Sequence, residues 1–177
     1  MRRQLLTGGL LCLCVSVFAT ADDKHHHAPA TTNAGFEKLK GLVGTWVAAD
    51  ENGDPTEQVV SVVKLTAGGS AIHDTLFPGG EMEMISIYTP DGDDVTMTHY
   101  CMLGNQPRMK ADAKAAGNTF NFEFDGGTNL DPAKDAHMHA AKLTIVDANH
   151  LEVEGIGWVD GKPSAEMCNG MKLVRKE

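Results

Sequence analysis

Basic residues are scarce in this chain. Fifteen Lys and Arg stand against 24 Asp and Glu, a formal net charge of −9. Such a chain lacks the positive stripe that nucleic acid or an anionic membrane surface requires, so neither is expected as a partner. Cysteine is sparse as well, with four in all. Cys12 and Cys14 fall in the N-terminal segment, and each follows Leu rather than a small residue, which argues against lipidation. Long apolar runs are missing too. Residues 5–18 are mostly apolar, but the run is short and is soon followed by Asp22-Asp23-Lys24, so no membrane span is expected. A nucleotide fingerprint is also absent. Gly155, Gly157 and Gly161 lie in a strand and a turn with no helix after them.

What is present begins with an address. Residues 1–21 have the three parts of a secretory signal: a basic start at Arg2 and Arg3, an apolar middle, and the small-x-small site Ala19-Thr20-Ala21. Arg2 and Arg3 have the look of a twin-arginine start, but the basic region is minimal and general secretion is favoured. The expected localisation is therefore exported, either periplasmic or extracellular. Cleavage after Ala21 leaves 156 of the 177 residues, one domain's worth, with 13 basic against 24 acidic side chains and a charge of −11. Residues 22–33 are polar and aperiodic, a flexible leader. His25, His26 and His27 lie in it. Trimming to Asp23 would make His25 third, a spacing that chelates Cu(II) or Ni(II); a solvated tail is the simpler reading. Residues 34–177 are the domain.

The domain opens with a short helical stretch. Phe36, Leu39 and Leu42 are spaced for one helical face, Asn33 is placed to cap it, and Gly41 and Gly44 end it. About ten short strands follow, starting at Gly44-Thr45-Trp46-Val47 and separated mostly by turns rich in Gly, Asp or Asn. Residues 126–135 read as a longer polar loop. Consecutive hairpins predict an all-β, antiparallel up-and-down barrel, because closure removes exposed edges.

The richest stretch is residues 95–110. It reads as a strand, a tight loop and the next strand, and carries His99, Cys101, Asn105 and Arg108. In a strand, residues two apart share a face. His99 and Cys101 therefore share one with Val95 and Met97. On a later strand, Leu143 and Ile145 share a face that extends back through Ala141 to His139 and His137. Phe120, Phe122 and Phe124 line one face of another strand.

The short helix, Gly44-x-Trp46 on the first strand and a meander ending in Lys172 and Arg175 together resemble the calycin group: lipocalins, fatty-acid-binding proteins and nitrobindin. In lipocalins the Trp closes the barrel floor against a basic side chain from near the domain's end, and Trp46 and Arg175 match those places. Met97-Thr98-His99-Tyr100-Cys101, followed by Gly104-Asn105-Gln106-Pro107-Arg108-Met109, is more specifically similar to a bacterial family of secreted lipocalin-like domains of unknown function. The nitrobindin branch carries glycines directly after the Trp. Val47-Ala48-Ala49 stands there instead, which argues against haem by that analogy.

The favoured function is a barrel that binds a small, partly apolar or amphipathic molecule in its interior, as a monomer or weak oligomer. The expected lining is Trp46, Met84, Met97, His99, Cys101, Phe122 and His139, with Arg108 near an opening to fork onto a ligand carboxylate. No cofactor is assigned. The alternative is a periplasmic metal-handling protein. His99, Cys101, His137 and His139 would supply three or four N/S ligands, zinc-like, or copper-like if Met joins. Eight methionines follow Met1. They suit either an adaptable cavity or irregular core packing better than a copper site. Cys101 and Cys168 pair only if the barrel is flattened, since strands five and ten of ten lie nearly opposite. A Cys101–His99 nucleophile has no visible third orienting group, so no catalytic residue is assigned.

Overall fold

The computed structural model describes residues 33–112 and 117–176. The secretory segment 1–21 and the leader histidines lie outside the described residues. Among those described are one α-helix, α1 (Ala34–Lys40), and ten strands: β1 (Gly44–Ala49), β2 (Pro55–Thr66), β3 (Ala71–Leu76), β4 (Met84–Asp91), β5 (Asp94–Tyr100), β6 (Gln106–Asp112), β7 (Thr119–Thr128), β8 (His137–Ile145), β9 (His150–Val159) and β10 (Lys162–Arg175). Each strand pairs antiparallel with its sequence neighbours, and β1 closes onto β10. The result is a closed up-and-down barrel, a form compatible with the lipocalin-like fold. No helix among the described residues is long and apolar enough to cross a membrane.

Strict alternation builds the wall where it holds. In β5, Val95, Met97 and His99 are buried while Tyr100 is exposed. The core gathers Phe36, Leu39 and Leu42 from the helical segment with Trp46, Ile72, Met109, Phe120 and Phe122 from the strands.

Alternate turns of a meander lie at the same end, and here the two ends differ. One end is plugged by α1. Asn33 caps that helix, its Oδ1 accepting from Phe36 N at 2.8 Å. Its Nδ2 donates to Gly92 O and Asp94 O, tying the helix to the β4–β5 turn. Trp46 donates through Nε1 to Leu42 O. The Arg175 guanidinium lies 4.3 Å from the Trp46 ring and donates to the carbonyls of Gly41, Val43 and Ala148. At the other end are the β1–β2, β3–β4, β5–β6, β7–β8 and β9–β10 connections.

Two expectations need revision. The polar stretch from Gly126 begins as strand, because β7 runs on to Thr128. Gly127 is there for close approach rather than for a turn: a Cβ on it would stand 2.9 Å from Gln106 O. Secondly, β8 breaks register against β9 between Met138 and Ala140, so simple alternation does not carry the Leu143 face back to His139 and His137.

Candidate functional site

A cavity of about 130 Å³ lies inside the barrel. Its walls are mainly apolar, among them Val63, Phe77, Met84, Met97, Phe122 and Leu143. Against them stands a polar row set by strand register. Asp74 of β3 is opposite Ser86 of β4, and Ser86 is opposite His99 of β5. All three are buried. Ser61 Oγ donates to Asp74 Oδ1 at 2.5 Å. Burial pushes the Asp74 carboxyl up to about 6, although the Ser61 bond pulls it the other way. Tyr88 also lines this space, edge-on to Phe122 at 5.7 Å. Burial, then the nearby Asp74 charge, pushes its phenol upward.

A second cavity, about 220 Å³, lies at the end away from α1 and shares Met84, Met138, Gly155 and Asn169 with the first. It opens between Met82, Met102 and Leu103, each about half exposed. His99 and Cys101 line it. His99 is fully buried; its Nδ1 is 3.0 Å from Ser86 Oγ, and its Nε2 has no hydrogen-bond partner among the described residues. Burial pushes this imidazole down to about 4, so it is neutral at pH 7. Cys101 sits just past β5 in a tight turn, its amide donating to Asn105 O and its carbonyl accepting from Gly104 N. Asn105 is buried, and its Nδ2 donates to Ala136 O, fastening this turn to the β7–β8 loop. Cys101 and Cys168 are both free thiols, and Cys168 is exposed with Sγ donating to Ser164 O.

The residues expected around a ligand thus fall into groups. Met84, Met97 and Phe122 line the inner cavity, while Met84, His99 and Cys101 line the outer one. Trp46 lines neither and belongs to the plugged end. Arg108 is exposed and engaged, with Nε on Asp125 Oδ2 at 3.0 Å and Nη2 on Asp125 O. His139 stacks between Phe124 and Trp158, at 4.7 and 3.7 Å between ring centroids. Its Nδ1 is 3.0 Å from His137 Nε2, and His137 Nδ1 contacts Asp135 O at 2.7 Å. Burial, then the neighbouring His137, pushes the His139 imidazole down. Neither histidine lines either of these two cavities; Met138, between them, lines both. The four residues His99, Cys101, His137 and His139 are not brought together. Among the described residues, no group of three or more His, Cys, Asp and Glu side chains stands close enough to hold a metal ion.

Sequence reasoning missed Asp74, Ser61, Ser86 and Tyr88. One signal was there to find: Asp74 shares the β3 face of buried Ile72 and cavity-lining Leu76, a carboxylate in an apolar alternation. No family model and no curated protein sequence matches this chain.

Proposed function

We propose that this is an exported barrel that holds one small, partly apolar molecule in its inner cavity, with the ligand's polar end donating to Asp74. The carrying observation is the placement of that carboxylate. A buried Asp held by a single Ser61 hydroxyl retains acceptor capacity, and it faces a space walled mainly by Met, Phe, Val and Leu, with Ser86, Tyr88, Lys142, Glu154 and Asn169 as its other polar lining. A cavity of about 130 Å³ matches a single ring in size; apolar cavities of ~150 Å³ take up benzene. The secretory reading of residues 1–21 supports export.

Calorimetric titration with the matched pair benzylamine and toluene tests this. Benzylamine should bind with one-to-one stoichiometry and more tightly than toluene. Asp74→Asn should weaken benzylamine at least about tenfold, the scale of one charge-assisted hydrogen bond, and leave toluene unchanged. Ala141→Leu, which fills the cavity, should weaken both. Saturable binding by neither probe would sink the proposal.

A further inference from the structure

The geometry points to a binding site for a soft monovalent cation, Cu(I) or its redox-inert analogue Ag(I), in the outer cavity. It is distinct from the inner site proposed above for an organic ligand. Five thioethers line this one space: those of Met82, Met84, Met102, Met138 and Met167. The Cys101 thiol and the His99 imidazole complete the lining's metal-binding groups. None of the described lining residues is a carboxylate, and Asn169 is the sole amide. Hard cations need clustered oxygens. Thioether and thiolate sulfur favour Cu(I).

Core filling explains Met84 and Met138, which also line the inner cavity. It does not explain Met82 and Met102, which stand 51% and 52% exposed and gain little from burial. Nor does it explain β10. That strand leaves register with β9 between Ser164 and Asn169, and the excursion lays Met167 over Gly157. A Cβ on Gly157 would stand 2.3 Å from Met167 Cβ and 2.9 Å from its Cε, so the missing side chain is what admits the thioether. Bulges of this kind re-aim side chains at functional rims.

His99 supplies the independent observation. It is wholly buried, it lines the cavity, and its Nε2 lacks a hydrogen-bond partner among the described residues. In the tautomer whose Nδ1–H donates to Ser86 Oγ, the lone pair stands on Nε2. A metal-bound imidazole uses that arrangement, its second nitrogen fixing tautomer and ring orientation. On ligation Cys101 releases its proton to solvent, and one thiolate with one monovalent cation leaves the site without net charge.

The test is anaerobic competition for Cu(I) between the purified full chain and bicinchoninate. One equivalent should be retained per chain. Met102→Leu/Met167→Leu, which keeps side-chain volume and removes sulfur, should weaken retention at least tenfold, and Cys101→Ser should do the same. Cys168→Ser and His25→Ala/His26→Ala/His27→Ala should leave it unchanged. Circular dichroism of each variant separates ligand loss from misfolding, and Ag(I) monitored through methionine methyl NMR gives a second readout at Met102 and Met167. Retention that follows Cys168 or the leader histidines, or no retained metal in the parent chain, would overturn the site. None of these outcomes bears on benzylamine in the inner cavity.

Discussion

Asp74 and His99 stand on either side of Ser86 and titrate in opposite senses. The Asp74 carboxyl is pushed from 3.8 to about 6, so between those values the folded chain holds a proton that the unfolded chain has lost. Its contribution to stability therefore falls by about 3 kcal/mol as pH rises from 4 to 6. His99 is pushed from 6.5 to about 4, so the unfolded chain takes up a proton that the folded chain refuses. Its contribution rises by about 3 kcal/mol as pH climbs from 4 to 6.5. The two slopes largely cancel in the parent chain and separate in the variants. Asp74→Asn should give a urea midpoint that rises with pH across this window, and His99→Gln one that falls. Two variants with the parent's pH profile would contradict both burial assignments. Individual residues were legible in proportion to how clean their surroundings were. The inward face of His99 followed from Val95 and Met97 on the same strand. Asp74 was overlooked because a lone carboxylate beside a polar His73 and Thr75 reads as surface unless Ile72 and Leu76 are counted as one face.

Among the elements, the seam between β1 and β10 depends most on one side chain. Arg175 pairs in register with Trp46, covers its ring, and satisfies three carbonyls from two connections, α1–β1 and β8–β9. Lys offers a point charge in place of a planar fork and cannot reproduce that set. Arg175→Lys should therefore cost about 2 kcal/mol and Arg175→Ala about 3 kcal/mol of unfolding free energy in urea, with hydrogen exchange accelerating first in β1 and α1. A loss below about 1 kcal/mol in both would mean that the seam is held by strand pairing alone. The strands themselves were legible because their turns carry Gly, Asp and Asn between β-branched runs. All ten were anticipated, although the stretch from Gly126 was read as loop where β7 runs on to Thr128. The bulges were not legible. The run His137-Met138-His139-Ala140-Ala141 contains no Gly or Pro to mark an extra residue. The register shift comes from β8 meeting β9, which no single strand encodes. That is why His139 was expected in the interior and stands instead between Phe124 and Trp158.

At the scale of the whole molecule, the barrel is asymmetric along its axis. One end is plugged by α1, Trp46 and Arg175. The other opens through a rim of methionines. Between them, the interior is apolar on most sides and polar along Asp74, Ser86 and His99. A barrel built only as a scaffold would pack its centre with its own side chains, since interiors are close-packed. The central claim is that this interior receives a ligand. Methionine methyl groups report it directly because they are distributed along the axis: Met84, Met97, Met138 and Met171 line the inner cavity, while Met109 is buried in the core and lines neither cavity. The decisive measurement is a benzylamine titration followed by NMR of methyl-labelled methionines. Met84, Met97, Met138 and Met171 should shift along one common saturation curve while Met109 stays fixed. Shifts spread evenly over every methionine, or none at saturating probe, would contradict an interior binding site.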